Sequence, residues 1–177
     1  RGQAGADARY LVRGTWGGAM LTRDGVSMRI PGGPNIRMRL AGARPLDRGI
    51  GVDPLQTRTH YLRGQKPREW LKEIEHYARI RYDNVYPRTN LVFYGDEGNL
   101  RYDFVLNPGA DPRRIALQFD GASEVDPRPD GGLLLHYRTG MAELGRPFTY
   151  QIRGGDRVEV ASRYVPRADG AVGFEVG

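Results

Sequence analysis

The 177-residue chain contains no cysteine, so no disulfide staples it and no thiolate can hold a metal. That absence suits the cytosol and secreted bacterial proteins alike, and leaves the compartment open. Lysine is almost missing as well, with Lys66 and Lys72 standing alone against many arginines. No segment approaches the roughly 18 consecutive apolar residues that a membrane-crossing helix needs. The three histidines, His60, His76 and His136, show neither HxxxH nor HExxH spacing. The sequence therefore gives no reason to expect a metal or another cofactor. The chain opens at Arg1 with no methionine and no leader-like apolar stretch, so we expect an N-terminal segment to have been removed or left out.

Arginine makes up nearly all of the positive charge, and the net charge is +6. Such a balance can mark a nucleic-acid partner. Here, however, the arginines are spread evenly, and most stand at every second position between apolar residues. That is how the solvated faces of strands look, so no nucleic acid is expected.

Period two dominates. In "IRMRL", Ile36, Met38 and Leu40 point one way and Arg37 and Arg39 the other. In "IALQF", Ile115, Leu117 and Phe119 share a face, and "LRYDFVL" groups Leu100, Tyr102, Phe104 and Leu106. "LLLHY", "FTYQI", "RVEV" and "VGFEV" extend the series to the end of the chain. Between them stand turn signals at Asp24-Gly25, Asp96 to Gly98, Asp130 to Gly132, Gly154-Gly155 and Asp169-Gly170. Glycine and aspartate tolerate the positive φ that tight hairpins require. One stretch differs: "PREWLKEIEHYARI" spaces Trp70, Ile74 and Tyr77 at helical intervals behind Pro67 and Glu69. The expectation is a single antiparallel β-sandwich domain over 1–177 with one short helix at about residues 67–78. "IRMRLAGA" and "IALQFDGA" also echo one another, a hint of internal duplication.

"HYLRG…PREW…HYARIRYDNVYPRTNLVFYGDEGNLRYDFVLNPGADPRRIALQFDGA", with "RGQ", "RYLVRG" and "GRPFTYQ", resembles an uncharacterised family of bacterial domains. Members are β-rich, secreted, and found N-terminal to SBBP-type β-propeller repeats in multidomain proteins. The resemblance implies an extracellular or cell-surface module, part of or processed from a longer secreted protein, and no reaction. One departure is visible: where the family reads Tyr-Pro-Gly-Ile-Asp, this chain has Tyr86-Pro87-Arg88-Thr89-Asn90. A charged ligand held by that aspartate would be held less well here.

Candidate chemistry is thin. Asp96, Glu97, Asp103, Asp111, Asp120 and Glu124 supply carboxyls that glycoside hydrolysis could use in a pair, but turns and cross-strand ion pairs also use such residues. Asn107 and Asp111 of "NPGADP" offer oxygens to a ligand, or a cap and a turn. Ser27, Ser123 and Ser162 lack a nucleophile-elbow context. "GGPN" and "GTWGG" lack the lysine of a phosphate loop. Trp16, in "GTWGG", could stack on sugar from an exposed turn. The weak ligand-binding candidates are thus Trp16, Asn107 and Asp111, with no catalytic residue. The sequence points to a non-catalytic module for display, adhesion or assembly whose partners are other protein modules or copies of itself, with carbohydrate a further candidate. A self-assembling fibre subunit and a polysaccharide-binding or polysaccharide-active protein are the alternatives.

Overall fold

The computed structural model describes residues 10–14, 17–29, 32–61 and 71–177, and their side chains except at 13–14, 57–61 and 71–74. Alternation becomes strand wherever a turn residue lets the chain fold back. Gly98, Gly131, Gly154, Gly155 and Gly170 all take positive φ, and each lies between paired strands. All five sequence turn signals sit at hairpins.

β1 (Tyr10–Gly14), β2 (Gly17–Leu21), β3 (Gly25–Arg29) and β4 (Asn35–Leu40) form an antiparallel meander. β5 (Ile50–Tyr61), β6 (Leu71–Tyr86), β7 (Thr89–Asp96) and β8 (Asn99–Leu106) form a second, four-stranded sheet. After a 3-10 turn at Pro112–Arg114, β9 (Leu117–Asp120) returns to pair with β4. β10 (Ala122–Pro127), β11 (Leu133–Tyr137) and β12 (Gly140–Leu144) make a three-stranded sheet. Among the described residues, β13 (Thr149–Arg153) and β14 (Asp156–Val160) pair only with each other. β15 (Ser162–Pro166) and β16 (Val172–Val176) complete the first sheet, in the order β1-β2-β3-β4-β9-β16-β15. The architecture is the expected all-β antiparallel sandwich.

One shared core joins the first three sheets. Leu21, Met38, Leu91, Phe93, Leu117, Leu133, Leu135 and Val172 are fully buried in it. The apolar triplets Ile36, Met38, Leu40 and Ile115, Leu117, Phe119 are buried as their alternation requires. Leu106 is the exception in its series, exposed at the end of β8. Arginines on the opposite faces meet acids across strands: Arg39 contacts Asp120 at 2.8 Å between β4 and β9.

The expected helix is not there. Residues 71–86 form the sixteen-residue strand β6, while 67–70 lie outside the described residues. Two or three isolated helical turns are marginal in water. Pairing along β5, from Ile50↔Arg81 to Tyr61↔Leu71, gives this backbone partners that helical spacing could not. Among the described residues the 3-10 turn is the only helical segment.

The echo does not mark a duplication either. β4 and β9 lie side by side, Met38 opposite Phe119, and Gly42 and Gly121 both take positive φ. But the other neighbour of β4 is the preceding strand β3, whereas that of β9 is β16 from the end of the chain. The two halves do not match strand for strand.

Candidate functional site

The "NPGADP" corner is built from the inside by its own polar groups. Asn107 donates from its backbone to the Arg88 carbonyl at 2.9 Å, and from Nδ2 to the same oxygen at 3.2 Å. Gly109, at φ +80°, turns the chain, and Ala110 donates back to Asn107. Asp111 caps the 3-10 turn, its Oδ1 accepting from the Arg113 backbone N–H at 3.0 Å and from Arg113 Nε at 3.1 Å. Those two bonds hold its carboxyl below the usual carboxylate range. An acid in this state is a poor proton donor. Asn107 and Asp111 therefore both serve the turn; Trp16 lies outside the described residues.

An open cleft of about 840 Å³ runs beside this corner, between Asp111 and Arg113 on one side and Phe174 and Glu175 on the other. Its charged groups are already engaged. Glu175 accepts from Arg163 at 2.7 Å, and Arg167 donates to the carbonyls of Arg113 at 2.6 Å and Ile115 at 2.9 Å.

The family departure is local too. Arg88 sits at φ +59°, a conformation natural to glycine, and donates to the Pro108 carbonyl at 2.8 Å. Asn90 Oδ1 accepts from the Asn84 backbone N–H at 2.8 Å, a role an aspartate oxygen fills equally well.

A second cluster stands on the three-stranded sheet. Glu124 and Asp126 on β10 and His136 on β11 place one ligand atom each within 4.8 Å of one another. Glu124 pairs directly with His136 in the ladder, and His136 Nε2 lies 2.9 Å from Asp126 Oδ2. Sequence spacing could not have found this group, because its members meet only across the hairpin. The His–Asp hydrogen bond is the interaction it makes, and a cation would have to break that bond to enter.

The third feature is apolar. The β13–β14 hairpin carries Ile152 and Val158 at 62% and 40% exposure, and Phe148, the residue just before β13, stands at 60%. Phe148, Tyr150 and Ile152 follow at alternate positions, the Phe148 and Tyr150 rings 5.9 Å apart, with the Arg157 guanidinium 4.6 Å over the Tyr150 ring. Val158 pairs with Gln151 on the other face. "FTYQI" reads as one more half-buried strand in the sequence. The signal against that reading was apolar residues on both faces of a hairpin only five residues long per strand.

Residues 1–177 match the domain of unknown function DUF7948, and the chain belongs to that family. No curated protein and no solved structure matches it.

Proposed function

We propose that this DUF7948 domain is a non-catalytic extracellular or cell-surface module for display, adhesion or assembly, and that the β13–β14 hairpin is its contact surface. The observation that carries this reading is the exposure of Phe148 and Ile152 on a two-stranded element whose outer edges pair with nothing among the described residues. Unpaired edges and exposed apolar side chains are what a partner strand or surface engages. The cleft beside the corner supports the same reading: an acid–base enzyme wants a carboxyl with a raised pKa, and Asp111 moves the other way.

The test has two arms. Immunolabelling of intact producing cells should place the protein outside, and Phe148→Ser/Ile152→Ser should release it into the medium while circular dichroism and melting temperature stay unchanged. Incubation with common polysaccharides should release no sugar. A folded double variant that stays attached like the unaltered protein, or measurable hydrolysis, would sink the reading.

A further inference from the structure

The open edge of β14 carries a self-complementary sequence. A two-residue loop at Gly154-Gly155 joins β13 to β14, and Arg153↔Asp156 closes the hairpin. In such a hairpin the closing pair exchanges both backbone hydrogen bonds, and bonded pairs then alternate along the ladder. Asp156, Val158 and Val160 thus direct their N–H and C=O groups to β13. Arg157 and Glu159 direct theirs to the open edge. Every residue of β14 except Val160 is exposed, and the strand pairs with nothing but β13 among the described residues.

We propose that β14 pairs antiparallel with β14 of a second copy of this chain, with Val158 facing Val158 across a twofold axis. Charge decides for this partner. That register sets Arg157 of each copy opposite Glu159 of the other, making two opposite-charge pairs from one short strand. Arg157 contacts the Tyr150 ring and no carboxylate among the described residues, so the second copy supplies the acid it lacks; Glu159 meets its own chain's Arg146 at 3.3 Å through Oε1, an exposed pair that leaves Oε2 to accept from the second copy's Arg157. Arg157 and Glu159 are also the two residues whose backbone groups face outward, so the charge pairs and the new hydrogen bonds fall at the same positions. The exposed side chain of Val158 is covered by its twin. A twofold interface is self-complementary by construction, and a strand reading Arg-Val-Glu fits that symmetry. The other edge, β13, has no such logic: centred on Gln151 it would set Thr149 opposite Arg153.

This inference rests on the hairpin being the contact surface, and the experiment separates the two. Because the chain has no cysteine, Val158→Cys gives each copy a single thiol. Val158 would sit at a non-hydrogen-bonded cross-strand position, where side chains approach closely enough for a disulfide. Mild oxidation should turn V158C into a covalent dimer and leave Gln151→Cys monomeric. In sedimentation equilibrium the unaltered protein should self-associate, Arg157→Glu should weaken this at least about tenfold, and Arg157→Glu/Glu159→Arg should restore it. Circular dichroism checks that each variant is folded. An unaltered protein that stays monomeric at roughly 1 mM, preferential cross-linking of Q151C, or no rescue in the double charge swap overturns the proposal. If Phe148→Ser/Ile152→Ser still releases the protein from its surface in those cases, the hairpin remains the contact and only the β14 register is wrong.

Discussion

At the scale of the residue, much of this domain is held by polar side chains that finish turns. Arg167 shows how. Its guanidinium donates to two main-chain carbonyls before β9, binding the C-terminal hairpin to the corner. It can lie there because Gly173 has no side chain: a Cβ at 173 would stand 2.4 Å from Arg167 Nη2 and 2.6 Å from its Nε. Gly173 is not among the glycines with positive φ, so alanine meets no backbone objection, only the guanidinium. Hydrogen bonds to charged groups contribute about 1.5–3 kcal/mol. We expect Arg167→Ala and Gly173→Ala each to cost about that much, and the double variant to cost less than the sum by at least about 1 kcal/mol. Urea denaturation of the four proteins measures this. Additive costs would mean that the two residues act separately.

At the scale of the element, the sequence and the structure part company where local signals conflict with distant partners. Ile36, Met38 and Leu40 read as one face of a strand and are one, because alternation and burial agree there. Residues 71–80 carry helical spacing and good helix formers, yet β5 is the partner that decides. That partner is invisible to a local window. The β13–β14 hairpin was legible as strand–turn–strand but not as exposed, since alternation says which residues share a face and never which face is covered. β16 is the opposite case. Its Val172 is fully buried and pairs with Leu117, and the strand lies between β9 and β15. Burying such a side chain is worth roughly 1.5–3 kcal/mol, against a total stability of about 5–15 kcal/mol. Deleting 171–177 removes the strand and strips β15 of the ladder it forms with β16. The truncated protein should lose cooperative thermal unfolding; a melting transition at the unaltered temperature would show that β16 is a dispensable appendage.

At the scale of the whole molecule, the sandwich is closed by pairings that no short motif announces: β9 on β4, β16 on β9, and tyrosines between the sheets. Tyr102 of β8 meets Tyr164 of β15 between the sheets, and burial, with that neighbour, pushes the Tyr102 pKa well above its ordinary value. Tyr86 is buried under Ala41 and Ala116, bonded to the carbonyl of Ala41 at 2.9 Å, and burial raises its pKa as well. Tyr164 is raised by burial, and Tyr137, half-buried and near Asp120, is pushed up to about 12. A folded-state pKa above the unfolded value means that folding favours the protonated phenol. The stability this contributes is fully present below the unfolded value of about 10 and is lost as pH rises through the folded values. The domain should therefore unfold cooperatively between about pH 10 and 12, with tyrosinate absorbance at 295 nm and loss of the far-ultraviolet signal rising together. Tyr102→Phe should lower the starting stability and blunt this alkaline loss. Full ionisation of all ten tyrosines near pH 10, with the strand signal intact, would place these hydroxyls in water and contradict the closed sandwich.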